Sequence, residues 1–128
     1  MMKALKISKT PYSPEVILDK KQNVFKITGD LLPENSFSFF EPIINWFEEY
    51  SKEPLDYTKL QLSFNVINTS STRKIILVMR ILDRIAQTGK IVKVVIYHLS
   101  EDEMMEYWGH ELTQLFPKLN IVMKTKLE

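Results

Sequence analysis

The chain lacks cysteine altogether and has only three glycines among its 128 residues. Without cysteine it has no disulfide, thiolate zinc ligand or cysteine nucleophile, a composition that suits a reducing compartment. Three glycines leave almost nothing from which to build a glycine-rich phosphate loop or the nucleophile elbow of serine hydrolases. Nucleotide hydrolysis and serine-hydrolase chemistry are therefore disfavoured.

Long hydrophobic runs are also missing, and the lysine-bearing first residues do not contain the apolar stretch of a signal peptide. Seventeen basic residues against 16 acidic ones give a net charge of +1. This charge is too small to create a global field that attracts nucleic acid or an anionic membrane. We therefore expect a cytoplasmic protein that does not bind nucleic acid or insert into a membrane.

Side chains that could carry catalysis or bind a metal are scattered. His98 and His110 are isolated, and neither has a second ligand at a recognisable metal spacing. Carboxylate pairs such as Glu103 and Glu106 occur routinely on helix surfaces. We expect no catalytic residue, no metal and no cofactor.

The hydrophobic pattern predicts a single α/β domain over residues 1–128. Apolar residues at alternate positions indicate strands, whereas three- and four-residue steps indicate helices. Strands that alternate with helices after an opening β-hairpin imply a mixed, mostly parallel sheet with right-handed crossovers. The predicted strands are 5–8, 15–19, 23–28, 59–67, 91–99 and 119–125, and the predicted helices are 35–51, 73–88 and 100–116.

The ends of the predicted helices carry recognisable capping residues. Asn35 or Ser36 is expected to cap the first helix, and Ser100 the third. Pro42 lies inside the first helical pattern, where a proline removes a backbone hydrogen bond. We therefore expect a kink in this helix or a late start.

Five consecutive polar residues, 68–72, separate the central strand from the second helix. Asn, Thr and Ser are good N-caps, so the turn requires no function beyond capping. A helix N-terminus also stabilises a phosphate, and Arg73 and Lys74 would become favourable partners of one. The residues alone leave both interpretations open, an ordinary cap and a phosphorylated hydroxyl.

Two motifs carry a resemblance to a known family. Pro33-Glu34-Asn35-Ser36 leads into the aromatic first helix, and Ile67-Asn68-Thr69-Ser70-Ser71 leads into the second. Together with their flanking hydrophobic runs they resemble the SiaC family of regulatory phosphoproteins, which is related in fold to STAS domains and anti-sigma-factor antagonists. The resemblance spans residues 11–125. It implies a STAS-like fold with about four to six strands and about three helices.

The resemblance also implies a partner-switching function. Thr69 would be phosphorylated by a serine/threonine kinase and restored by a PP2C-type phosphatase. The unphosphorylated form would bind and activate a target, which in the characterised system is a diguanylate cyclase. The implied phosphosite neighbours are Asn68, Ser70, Ser71, Arg73 and Lys74, and the implied partner-binding residues are Glu34, Asn35 and Ser36.

Two other functions remain open at the level of sequence. One is a STAS-like domain that encloses a small apolar ligand between the aromatic first helix and the sheet. The other is an enzyme that acts through Glu34, Thr69 and a bound phosphate, although no base or metal can be assigned to it. Whether Ser70 or Ser71 can replace Thr69 as the phosphoacceptor is also left open.

Overall fold

The computed structural model describes residues 2–126, and every predicted element is present within them. A β-hairpin with one preceding strand is followed by alternating helices and strands, which confirms the predicted α/β class. The elements are β1 (Leu5–Ile7), β2 (Glu15–Asp19), β3 (Val24–Leu31), α1 (Ser36–Tyr50), β4 (Tyr57–Ile67), α2 (Thr69–Gln87), β5 (Ile91–Leu99), α3 (Glu103–Leu115) and β6 (Asn120–Lys126).

The six strands form one sheet in chain order, from β1 to β6. The β1–β2 and β2–β3 pairs are antiparallel, and the pairs from β3 to β6 are parallel. Right-handed crossovers between successive neighbours place the three helices on the same face of the sheet. Alternate strand residues, among them Phe25, Leu62 and Val94, are buried in one core with residues of all three helices.

Aromatic packing fixes α1 to the sheet. The ring of Phe25 on β3 lies 5.9 Å from Trp46 and 5.2 Å from Tyr50, and those two helix residues stack at 5.3 Å. The indole nitrogen of Trp46 also donates to the carbonyl oxygen of Lys3 at 2.9 Å. These contacts set the position of α1, and with it the position of the motif that precedes the helix.

Pro42 does not delay the start of α1. The helix begins at Ser36 and continues through Pro42 to Tyr50. Of the two expected outcomes, the late start is therefore wrong, and the kink stays a prediction. Proline has no N–H, so the carbonyl group of Ser38, four residues earlier, lacks its helical donor. Both Pro42 and Ser38 are exposed. Water can therefore solvate that carbonyl, which limits the penalty for a proline at this position.

Two other helix boundaries differ from the sequence prediction. The second helix begins at Thr69, four residues before the predicted start at Arg73. The third begins at Glu103, and its cap is Asp102, whose carboxylate accepts from the Met105 amide at 3.1 Å. Ser100 therefore does not cap α3. The cap of α1 is Asn35, one of the two predicted candidates.

A buried hydrogen bond at the end of α1 gives a test of this packing. The hydroxyl of Tyr50 is bonded to Thr58 Oγ1 at 2.6 Å and accepts from the Leu55 amide at 3.1 Å. Tyr50→Phe leaves both groups without this partner, so we expect urea denaturation to show a loss of about 1–3 kcal/mol in unfolding free energy. Tyr57→Phe, at an exposed tyrosine, is the matched control, and equal stability of the two variants would contradict the packing described.

Candidate functional site

The N-termini of the three helices lie at the same edge of the sheet. Because β3 to β6 are parallel neighbours, the carboxyl ends of β3, β4 and β5 lie together, and each is followed by the start of a helix. In open α/β sheets, ligands bind preferentially at this edge. The two sequence motifs both lie here, one before α1 and one before α2.

Contacts made by residues beside the two motifs hold them close together. The backbone amide of Asn68, in the turn before α2, donates to the carbonyl oxygen of Leu31 at the end of β3 at 3.0 Å. One turn into α2, the ammonium group of Lys74 lies 5.2 Å from the ring centroid of Phe37 on α1. A cation over an aromatic face is attracted to it. Motifs distant in sequence therefore form one surface.

Thr69 is the first residue of α2, and its side chain is exposed. The cap is provided by Asn68, whose side-chain oxygen accepts from the Ser71 amide at 2.9 Å. The hydroxyl of Thr72 donates to the Asn68 carbonyl at 3.1 Å. The Thr69 hydroxyl is thus not needed as the cap, and it stands at the positive end of the helix dipole.

The two serines of the turn differ in accessibility. Ser70 is exposed, and its hydroxyl bonds to the Asn68 side chain at 3.3 Å. Ser71 is fully buried, and within residues 2–126 its hydroxyl has no hydrogen-bond partner. Thr69 and Ser70 are therefore accessible from the solvent, whereas Ser71 is covered.

Arg73 and Lys74, the two basic residues predicted beside the turn, lie in different surroundings. Arg73 is exposed and lies four residues after Thr69, a spacing that places both side chains on one helix face. Lys74 is instead half-buried against Phe37. Of the two cations, Arg73 is therefore the one whose side chain lies free beside Thr69 on the helix surface.

The predicted partner-binding residues are only partly available at the surface. Glu34 and Asn35 are exposed, whereas Ser36 is buried. The side-chain oxygen of Asn35 accepts from the Ser38 amide at 3.0 Å, so Asn35 is also the cap of α1. Of the three, Glu34 has the most freedom to contact a partner directly.

The sequence did not predict a groove that separates the first turn of α2 from α3. It has a volume of about 670 Å³ and contains three exposed apolar side chains, Val66, Met104 and Tyr107, with exposed fractions of 46%, 78% and 63%. The Glu111 carboxylate, by hydrogen bonding to the phenol and by its charge, raises the pKa of Tyr107. The lining residues are Asn65, Val66, Ile67, Thr69, Thr72, Arg73, Asp102, Met104, Met105, Tyr107, Trp108 and Glu111.

Trp108 lies in the wall of this groove. Its indole nitrogen is buried and has no acceptor in the part of the chain that the structure describes. A buried donor without a partner costs on the order of 1–3 kcal/mol. In contrast, the indole nitrogen of Trp46 is bonded to Lys3. The groove wall therefore contains an unsatisfied polar group.

Features that would indicate a metal centre or a membrane span are not found among the described residues. No group of three or more His, Asp or Glu side chains in residues 2–126 is placed to hold a metal ion. His98 is buried with Nδ1 2.8 Å from the Leu99 carbonyl oxygen, and His110 is exposed. In the same range, each helix is too short or too polar to cross a membrane.

Comparison with known proteins assigns the chain to a family. The family profile described as "SiaC family regulatory phosphoprotein" matches residues 7–126. An uncharacterised protein of Pseudomonas aeruginosa strain UCBPP-PA14 is 28% identical over 93 residues, which cover 73% of this chain and 74% of the relative.

Solved structures show the same fold. SiaC of Pseudomonas aeruginosa superposes with a TM-score of 0.87 at 22% identity, over 98% of this chain and 100% of that one. A similar chain, with a TM-score of 0.88 and 22% identity, covers 95% of this chain and 99% of its own. It comes from a crystal structure of the diguanylate cyclase SiaD in complex with its activator SiaC, also from Pseudomonas aeruginosa.

The fold and the site together define a small α/β domain with a groove at the carboxyl edge of its sheet. More particularly, the chain belongs to the SiaC family of regulatory phosphoproteins, because the family profile covers nearly all of it. The resemblance carried by the two motifs is thereby confirmed.

The cap of α2 gives a prediction about the site itself. Asn68→Ala removes the acceptor for the Ser71 amide, so we expect a loss of about 1 kcal/mol in unfolding free energy. Asn65→Ala is the control, because Asn65 is exposed on the groove and caps no helix. Urea denaturation that shows the same stability for both variants would rule out the cap as a stabilising element.

Proposed function

We propose that this chain is a non-enzymatic partner-switching protein, and that reversible phosphorylation of Thr69 controls which partner it binds. The observation that carries the proposal is the position of Thr69. It is an exposed hydroxyl at the first residue of a helix whose cap is supplied by another side chain. Family membership supports a regulatory phosphoprotein in general.

The folded domain can accept a phosphate at Thr69 without rearrangement. Free amide groups and the positive dipole end of α2 stabilise a group that carries about −1.5 to −2 charges at neutral pH. The first turn of α2 contains no acidic residue to repel it. Arg73 follows at the i+4 position and adds a positive side chain on the same face.

Phosphorylation then acts on docking rather than on folding. Thr69 lines the groove that contains the exposed apolar side chains of Val66, Met104 and Tyr107. A partner that covers these side chains also covers Thr69, and a phosphate there would have to be desolvated. Arg73 balances at most one of its charges, and a buried charge without full compensation costs several kcal/mol. A penalty of about 3 kcal/mol weakens a complex by roughly two orders of magnitude.

Three partners follow from this function. A serine/threonine kinase modifies Thr69, a PP2C-type phosphatase restores it, and the unmodified form binds and activates a target. We propose a diguanylate cyclase as the target, since the structurally similar SiaC of Pseudomonas aeruginosa is the activator of the diguanylate cyclase SiaD. Exposed Glu34 and Asn35, at the same edge of the sheet, extend the contact surface, with Ser36 supporting the start of α1 beneath them.

A small-ligand-binding domain is the second candidate function. Its support is the volume of the groove, about 670 Å³, which falls within the range of roughly 300–1,000 Å³ typical of small-molecule sites. A thermal-shift screen with lipids and nucleotides tests it, because a true ligand raises the unfolding temperature of the wild-type chain more than that of Tyr107→Ala.

The switch predicts a difference in affinity between four forms of the protein. Each purified diguanylate cyclase of the source organism is titrated with the unmodified chain, the enzymatically phosphorylated chain, Thr69→Ala and Thr69→Glu. We expect unmodified and Thr69→Ala chains to bind and activate one cyclase alike, and the other two to bind about a hundredfold more weakly. The physical reason is the charge that must be desolvated under the partner.

Gln87→Glu is the control for added charge. It places a carboxylate at the far end of the same helix, about 27 Å from Thr69, and it should leave the affinity unchanged. Equal affinity of Thr69→Ala and Thr69→Glu for a cyclase that binds the wild type would refute the switch.

A further inference from the structure

Several apolar side chains of the groove are exposed to solvent. Met104 and Tyr107 are one helical turn apart on α3, and both are largely exposed, while Val66 lies exposed at the end of β4. An exposed apolar cluster rimmed by polar residues is typical of a protein-interaction site. A small molecule inside the groove would leave the outer parts of Met104 and Tyr107 in water, whereas a protein segment would cover them.

The positive charge of the groove lies on its α2 side. Arg73 is exposed and forms no ion pair within the described part of the chain. The two carboxylates of the groove, Asp102 and Glu111, both lie on its α3 side, where Asp102 caps the helix. The positive end of the α2 dipole adds to the field of Arg73. Charge complementarity therefore favours an occupant of the groove that places a carboxylate on the α2 side.

We propose that the groove binds a segment of the partner protein in which apolar side chains cover Val66, Met104 and Tyr107, and an Asp or Glu lies against Arg73 and the start of α2. This inference rests on the proposed function of Thr69. The docking site also explains how the switch would work, because a phosphate on Thr69 would occupy the place of the partner's carboxylate and repel that carboxylate.

Selection from a peptide library tests the proposal without knowledge of the target. Phage-displayed random peptides of about 16 residues, long enough for roughly four helical turns, are selected on the full unmodified chain. The best binders are then synthesised and titrated by fluorescence anisotropy. We expect them to combine apolar residues with at least one Asp or Glu.

Variants of the groove, each with a matched control, define where the peptides bind. Met104→Ala, Tyr107→Ala and Arg73→Gln should each weaken binding at least about tenfold, a change of roughly 1.4 kcal/mol. Leu115→Ala, Tyr57→Ala and Arg80→Gln should change it less than about twofold. The controls are also exposed, but they lie outside the groove. A selection that yields no peptide dependent on Tyr107, or peptides equally affected by the controls, overturns the proposal.

A double-mutant cycle tests the carboxylate. Replacing the acidic residue of the peptide with its amide should weaken binding to the wild type but not to Arg73→Gln, because the two groups act as a pair. Additive losses would show that the acidic residue does not contact Arg73. Losses confined to the apolar positions would leave a purely hydrophobic site, and the proposed occupant would be wrong.

The two tryptophans provide an independent readout of groove occupancy. The indole N–H signals of Trp46 and Trp108 are followed by NMR during a peptide titration and assigned with Trp108→Phe. The signal of Trp108, in the groove wall, should shift, while that of Trp46, bonded to Lys3, should not. Movement of Trp46 alone, or of neither signal, would place the peptide elsewhere.

Phosphorylated Thr69 separates this inference from the proposed function. If the switch and the groove are both correct, phosphorylation abolishes peptide binding. Peptides that depend on the groove but bind the phosphorylated chain equally well leave the docking site intact and refute the switch. Cyclase binding that responds to phosphorylation but not to Tyr107→Ala or Arg73→Gln preserves the switch and refutes the docking site.

Discussion

The arrangement of four parallel strands as direct neighbours in chain order is the constraint on which the candidate site depends. Each right-handed crossover returns the chain to the same side of the sheet, so the end of one strand and the start of the next helix meet at one edge. The hydrogen bond from the Asn68 amide to the Leu31 carbonyl is a direct result. A different strand order would separate the motif at Glu34 from the turn at Thr69.

At the start of α2, the helix cap and the exposed hydroxyl belong to two different residues. Asn68 caps the helix, and the hydroxyl of Thr69 remains exposed. In addition, the neighbouring groove places apolar surface within reach of any partner that covers this hydroxyl. A change of about two charges at Thr69 can therefore alter the affinity for a partner while the core beneath it stays packed.

Periodicity predicted the order of the elements well, because alternation and helical spacing report which side chains are buried. Their boundaries were less predictable. The polar run 68–72 predicts a turn before the helix, yet Asn68 caps the helix and Thr69 begins it. Capping by a single residue overrode the propensity of those that follow.

The groove could not be derived from the sequence for a related reason. Val66 continues the alternation of Leu62 and Phe64, a pattern that predicts the same face of the strand, but Val66 lies near the end of β4 and is exposed. Met104 and Tyr107 belong to a helix whose amphipathic pattern does not reveal which neighbour faces them. Burial of this kind is decided by the packing of α2 and α3, which no local pattern encodes.

The measurement that tests the central claim most directly is mass spectrometry of the protein purified from its native cells, before and after treatment with a PP2C phosphatase. Fragmentation localises any modification. The account predicts a phosphate on Thr69 that the phosphatase removes. Absence of phosphate from residues 68–72 under several growth conditions would contradict it, and the turn would then be an ordinary helix cap.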